Sequence, residues 1–404
     1  MSVRALAIDR PKPSPFAKLL DLHWPLLLAV TAIASIGFLM LYSVAGGSLE
    51  PWAMRQIVRF LVGLVILIAF AMVDIRIWMA IAYPFYAATI GLLLVVQFAG
   101  RFGKGAERWI DLGFIQIQPS ELMKIALVLA LARFFHGRSH EESIKLKTLA
   151  VPLVLIGLPV ALVLMQPNLG TALILCFIGA CILFVSGLRW WVIVAGLAVA
   201  AAAVPVGWEF LHDYQKQRVY TFLDPESDPL GAGYNIMQSK IAMGSGGLFG
   251  KGLLGGTQSQ LDFLPEKHTD FIFVMLGEEF GFAGCVILVA LYALVLLIGL
   301  AIALGARSQF ARITALGLTM NVLAYILINM SMVMGVIPVV GIPLPLVSYG
   351  GTAMLTVMMG FGILMSVHVH RQTDLPRQTG RLIKYRRATG QAGRGALYAP
   401  PPVG

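Results

Sequence analysis

The stretch LPEKHTDFIFVMLGEEFGFAGCVILVALYALVLLIGLAIAL, residues 264–304, turns from polar to apolar at Asp270 and then reaches Leu304 with only Glu278 and Glu279 charged. A bilayer core takes about 20 apolar residues per helix. The run from Phe271 to Leu304 is long enough to cross it strongly tilted, or to begin outside the lipid. Working outward, ten apolar stretches centre on residues 24–44, 56–73, 77–98, 119–136, 149–165, 169–187, 190–208, 271–304, 312–335 and 350–370. The 404 residues are 58% hydrophobic and 12% charged, with a mean hydropathy of +0.83, whereas soluble domains hold roughly 45–50% apolar and about 25% charged residues. Lipid is therefore the main solvent, and the sequence predicts an all-α membrane protein of about ten transmembrane helices.

An even number of spans puts both termini on one side. Lys and Arg gather in the tails and in the loops on that side, so both termini are expected in the cytoplasm. The first apolar stretch follows Arg4, Arg10, Lys12 and Lys18, is too long for a cleavable signal, and is expected to be retained. The net charge of +10 is accordingly assigned to membrane orientation, with no nucleic-acid partner. Cys176, Cys181 and Cys285 sit inside apolar runs without metal-ligand spacing and read as core. The expected plan is a cytoplasmic N-tail over 1–22, a polytopic membrane domain over 23–371, and a basic, disordered cytoplasmic C-tail over 372–404.

Two segments interrupt the helices. Residues 209–270 form a large extracytoplasmic loop between the seventh and eighth spans, where chemistry is to be sought. Its middle, residues 231–256, is dense in glycine, includes GSGGLFGKGLLGG at 244–256, and reads as a flexible linker able to move and admit substrate, or as a backbone cradle for phosphate. The apolar patch Ile236, Met237, Ile241 and Met243 suggests a helix on the membrane surface. Between the ninth and tenth spans lies GVIPVVGIPLPLVSYGG, residues 335–351, whose Pro338, Pro343 and Pro345 do not suit a helix interior. Such backbone survives at membrane depth only against protein or a watery cavity, so this segment is expected to re-enter and line a site.

Ionisable groups at helix positions cost roughly 2.5–3.5 kcal/mol at the bilayer centre and are functional candidates by default. In QIQPSELMKIALVLALARFF, residues 116–135, Pro119 suits a first helical turn, and Glu121 and Lys124 share one face. They read either as a buried ion pair locking two helices or as a site where Lys124 meets an anionic group while Glu121 orients it or holds a cation. Arg59 is expected to snorkel to the surface. Just ahead, RFGKGAERWIDLGFIQIQ at 101–118 puts Arg101, Lys104 and Arg108 outside against the positive-inside trend, which suggests attraction to phosphate or anionic lipid; Trp109 reads as an interfacial anchor or a substrate contact. Thr269 and Asp270 stand where loop becomes helix, as an N-cap or as a carboxylate poised as a general base. His268 is either its partner or a hydrogen-bonded loop residue. The small residues of AGLAVAAAAVPVG, 195–207, are expected to pack helices closely.

The pieces RWIDLG, QPSELMK, QPNLGTA, YQKQRV, LPEKHTDFIF and PLPLVSYGG follow the order and topology of the SEDS proteins, the shape, elongation, division and sporulation family. The chain resembles that family from about Trp24 to Arg371, and the wording GIPLPLVSYGG resembles its elongation branch more than its division branch. The resemblance implies a peptidoglycan glycosyltransferase that polymerises lipid II into glycan strands during lateral wall elongation and cell-shape maintenance. It would work at the periplasmic face of the bacterial inner membrane, with a class B penicillin-binding protein transpeptidase and other elongation-complex membrane proteins. It further implies catalytic roles for Asp270, Glu121 and Lys124, and substrate contacts at Trp109, Arg108, Arg218, His268, Thr269, Ser348 and Tyr349. The family commonly has Asp where this chain has Asn168, so no charge-dependent role attaches there. In such a reaction Asp270 would take a sugar hydroxyl's proton, and Lys124 with Arg218 would neutralise the departing pyrophosphate. A divalent Mg or Mn ion on Glu121 or Asp270 is an open element of this scheme, because no compact ligand spacing demands one. The rival readings are a division-specific paralogue, a lipid II flippase and a non-catalytic scaffold.

Overall fold

The structure, a computed structural model, describes residues 15–99, 109–111, 116–138, 146–166, 168–202, 209, 216, 220–224, 232–260, 264 and 266–375. In chain order the elements are α1 Pro15–Leu20, α2 Trp24–Val44, α3 Ala53–Met72, α4 Ile75–Ala99, β1 Ile110–Asp111, β2 Gln116–Ile117, α5 Pro119–Phe135, α6 Leu146–Met165 and α7 Leu169–Val185. They continue with α8 Trp190–Ala202, α9 Ala232–Ser245, α10 Thr257–Gln260, α11 Ile272–Gly305, α12 Gln309–Val333 and α13 Gly351–Val369. Each of the ten apolar stretches carries a helix. Among the described residues, seven helices are long and apolar enough to cross a membrane: α2, α3, α4, α6, α11, α12 and α13. Helices α5 and α7 have 17 residues each, and α8 has 13. The two tails lie largely outside the described residues, as do Arg108 and Arg218.

Local sequence accounts for the helix starts. Asn168 accepts from Thr171 N at 3.3 Å and caps α7, Ser308 accepts from Ala311 N at 3.2 Å and caps α12, and Pro119 opens α5 after an extended Gln118. The interior of the bundle is built on α5 and α12. Nearly every residue of α5 is buried, because it packs against α4, α6, α7 and α12, while α12 packs against α7, α11 and α13. Helix α8 departs from expectation: Trp190, Trp191 and Val194 are exposed, and nothing lies within 4 Å of a Cβ at Gly196. Its described small residues therefore make no close helix contact.

Between α12 and α13 the chain runs through residues 335–350 without helix, and much of it is buried. Buried backbone needs partners, and side chains of three helices supply them. Gln56 Nε2 on α3 donates to Ser348 O at 2.8 Å, Tyr292 Oη on α11 to Pro345 O at 2.5 Å, and Asn329 Nδ2 on α12 to Ile342 O at 2.7 Å. Gly37 on α2 makes room, since a Cβ there would come within 2.7 Å of Val347 Cα. Ser348 is part of this scaffold. It is 4% exposed, and its hydroxyl accepts from Leu344 N at 2.7 Å within a tight turn.

The glycine-rich stretch is neither a linker nor a phosphate cradle. It lies flat on α11, where a Cβ at Gly246 would sit 2.0 Å from Gly277 O and one at Gly250 would sit 2.2 Å from Glu279 O. A loop in such contact does not swing open for substrate. Before it, α9 buries Ile236 and leaves Met237 and Ile241 exposed, an apolar face directed outward.

Candidate active site

Four interruptions of helix meet at one cavity of about 210 Å³. The hairpin pairing Ile110 with Ile117 and Asp111 with Gln116 brings in Trp109. The first two turns of α5 contribute Glu121 and Lys124, the start of α7 contributes Asn168 and Thr171, and the turn before α11 contributes Thr269 and Asp270. Gly341, Pro343 and Tyr349 of the irregular segment close the wall, and Tyr325 enters from α12. A carboxylate and an ammonium far apart in sequence thus face one space.

Lys124 and Glu121 form a buried pair at 2.6 Å, their side chains 1% and 6% exposed. Tyr325, unremarkable in an apolar run, completes it: Lys124 Nζ also donates to Tyr325 Oη, and that hydroxyl donates to Glu121 Oε2. The ammonium lies 4.1 Å from the centre of the Tyr325 ring. An ammonium has three donors, and two are engaged here among the described residues. Lys124 also lines the cavity. Glu121, by contrast, has each oxygen engaged.

Asp270 does not cap α11. Phe271 holds that position without a side-chain cap bond, and the half-buried Asp270 side chain lines the cavity instead. Its carbonyl is held by Asn329 Nδ2 at 2.9 Å, the same amide that grips Ile342 O. Gly341, at φ +71, turns the chain beside the carboxylate, with its Cβ direction 3.4 Å from Asp270 Oδ2. Thr269 donates to Glu266 Oε2 at 2.7 Å.

His268 is not among the cavity-lining residues. It stacks on Trp52, centroids 4.6 Å apart and planes 17° apart, and its carbonyl accepts from Tyr349 N at 2.9 Å. Burial pushes its imidazole below the ordinary value of 6.5, against the opposing pull of Glu266. Arg59 does not snorkel outward: its guanidinium covers the Tyr349 ring at 4.7 Å. Among the described residues no three His, Cys, Asp or Glu side chains converge to hold a metal, and Glu121 is committed to Lys124 and Tyr325.

Residues 23–373 match the FtsW/RodA/SpoVE family, described as cell cycle proteins. The chain belongs to this family. Among its relatives, the peptidoglycan glycosyltransferase MrdB of Escherichia coli K12 is 48% identical over 365 residues, covering 90% of this chain and 98% of that protein. The peptidoglycan glycosyltransferase RodA of Treponema pallidum is 34% identical, covering 87% and 98%. Of solved structures, a chain from a peptidoglycan synthase complex that coordinates polymerization and crosslinking superposes with a TM-score of 0.75 at 34% identity, over 87% of this chain and 99% of that one. Rod shape determining protein RodA of Thermus thermophilus superposes with a TM-score of 0.67 at 31% identity, over 87% and 98%. This FtsW/RodA/SpoVE protein therefore shares sequence and fold with RodA-type polymerases over nearly the whole of their length.

Proposed function

We propose that the cavity joins lipid II to a growing glycan strand, making the chain a peptidoglycan glycosyltransferase of wall elongation and cell-shape maintenance. A sugar hydroxyl of one substrate attacks the anomeric carbon of the other, a C–O bond forms, and the bond to the lipid pyrophosphate breaks. Asp270 accepts the hydroxyl proton. The electron pair leaves with the pyrophosphate, and Lys124 meets the developing charge with its remaining N–H. Glu121 and Tyr325 hold the ammonium in place, and Trp109, Thr269 and Tyr349 bound the space. At about 210 Å³ the cavity is smaller than the roughly 300–1,000 Å³ of pockets that engulf a drug-sized ligand. It suits the reacting ends of the substrates, with their bulk outside.

The observation that carries this reading is the shared cavity of Asp270 and Lys124. Ten spans with both termini in the cytoplasm of a bacterium would open that cavity to the periplasm, where a class B penicillin-binding protein crosslinks the product. The likeness to a chain of a synthase complex supports such a partner. The test uses purified protein in detergent with lipid II. Polymer that forms with the wild type and disappears with a folded Asp270→Asn protein is the expected result; flipping alone makes no polymer, and undiminished polymerisation by Asp270→Asn would remove Asp270 from the mechanism.

A further inference from the structure

Helix α11 is broken at Gly281, where φ is 65° and ψ −162°. A break strands carbonyls on one side and N–H groups on the other. The glycine-rich loop takes up both sets. Lys251 N donates to Glu278 O at 3.0 Å and Gly252 N to Glu279 O at 2.9 Å, while Phe282 N donates to Gly247 O at 2.9 Å and Ala283 N to Leu248 O at 3.0 Å. Only glycine permits this approach: a Cβ at Gly281 would lie 2.4 Å from Gly250 N.

Side chains then lock the join. Lys251 Nζ donates to Glu278 Oε1 at 2.7 Å and to Thr257 Oγ1 at 2.9 Å. The same Glu278 oxygen accepts from Thr257 Oγ1 at 3.0 Å and Gln258 N at 3.1 Å. Glu278 is fully buried, so Lys251 is the counter-charge it requires. Glu279 is tied to another helix, accepting from Ser43 Oγ of α2 at 2.5 Å, and Ser43 Oγ in turn accepts from Leu254 N at 3.2 Å.

We infer that the loop 246–256 is a splint across the Gly281 break, and that Lys251, Glu278 and Ser43 are positioning residues that fix the helical segment 272–280 and, through it, Asp270 in the cavity. The segment is a stiff peg about 13 Å long, with Ile272, Val274 and Met275 wholly buried. Asn329 holds the backbone at Asp270, and the splint holds the far end. Sliding or tilting at the break would carry the carboxylate with it, and an error of about 1 Å in a reacting group costs on the order of 100-fold in rate.

The inference rests on Asp270 acting as the base, so Asp270→Asn is run in parallel. Full-length Lys251→Met, Ser43→Ala and Lys251→Arg are purified in detergent, and kcat and KM for lipid II polymerisation are measured separately. Lys251→Met and Ser43→Ala should lower kcat by roughly 10- to 100-fold with little change in KM, and Lys251→Arg should restore most of the loss. If Lys251→Met fails to fold, Ser43→Ala, which keeps the Lys251–Glu278 pair, carries the test. Wild-type kcat in the folded Lys251→Met and Ser43→Ala proteins overturns the inference, as does an equal loss in Lys251→Arg. An active Asp270→Asn instead overturns the reading of the base itself, a result distinct from an inactive Asp270→Asn beside fully active splint variants.

Discussion

Replacing Glu121 by leucine removes one half of an ion pair almost sealed from solvent, with side chains 1% and 6% exposed. Breaking a buried pair from one side strands a charge and costs about 3–5 kcal/mol. The Tyr325 hydroxyl and ring still face Lys124, and a desolvated cation–π contact is worth about 2 kcal/mol, so the loss should fall near the lower end, about 3 kcal/mol. The informative result is the order of a series. Glu121→Leu with Lys124→Met has no buried charge left, only an unpaired Tyr325 hydroxyl costing about 1–3 kcal/mol. Adding Tyr325→Phe removes that as well and should return stability to within about 1 kcal/mol of wild type, because buried ion pairs are often replaced by apolar groups without loss. Stability should therefore rise as polar groups are taken away, while polymerisation is absent throughout. Equilibrium unfolding in mixed micelles titrated with SDS reads the order. A single variant within about 1 kcal/mol of wild type, or a triple variant no more stable than the single, would show that the pair is solvated and the reasoning wrong.

Tyr325→Phe alone deprives Glu121 Oε2 and one Lys124 N–H of their shared partner; it should cost about 1.5–3 kcal/mol in the same titration and reduce kcat. Gly246→Ala forces a Cβ to within 2.0 Å of Gly277 O, whereas nothing lies within 4 Å of one at Gly244. Thermal unfolding in detergent should accordingly show Gly246→Ala destabilised by about 1–3 kcal/mol or more and Gly244→Ala unchanged or slightly stabilised. The lowered pKa of His268 means that the unfolded chain binds a proton more readily than the folded one. That contribution to stability is fully present above pH 6.5 and declines as pH falls from 6.5 through the folded value. His268→Gln should flatten that part of the stability curve, and an unchanged slope would remove His268 as its cause.

The helices were legible because lipid imposes a length and a composition that no other environment does. Glu121 and Lys124 were legible for a related reason, since charge inside such a run needs a cause and their spacing of three set them on one face. Tyr325 was not. A tyrosine inside the apolar run of α12 has the same appearance whether its hydroxyl meets lipid headgroups or a carboxylate brought from α5, and only packing distinguishes the two. The glycine-rich loop misled because flexibility and close approach select the same residue. Its role depends on Gly281, a single glycine in an apolar helix whose break no local pattern marks. Ser348 came only with the family resemblance, and no local pattern marks the use its hydroxyl has here, accepting from Leu344 N in the segment's own buried backbone.

Much of the cavity wall stands where a helix starts, stops or is replaced by irregular chain, with Tyr325 reaching in from within α12. A helix in lipid hides its polar backbone by bonding to itself, and irregular chain at that depth cannot. Each interruption frees backbone groups that must be met by other means, and those means are specific. Gln56, Tyr292 and Asn329 serve the irregular segment, and the glycine loop serves the break at Gly281. None of these three donors lines the cavity. Yet Asn329 bonds at once to the carbonyl of Asp270 and to that of Ile342, beside Gly341. Asn329 thus satisfies stranded backbone and fixes the chain at Asp270 together.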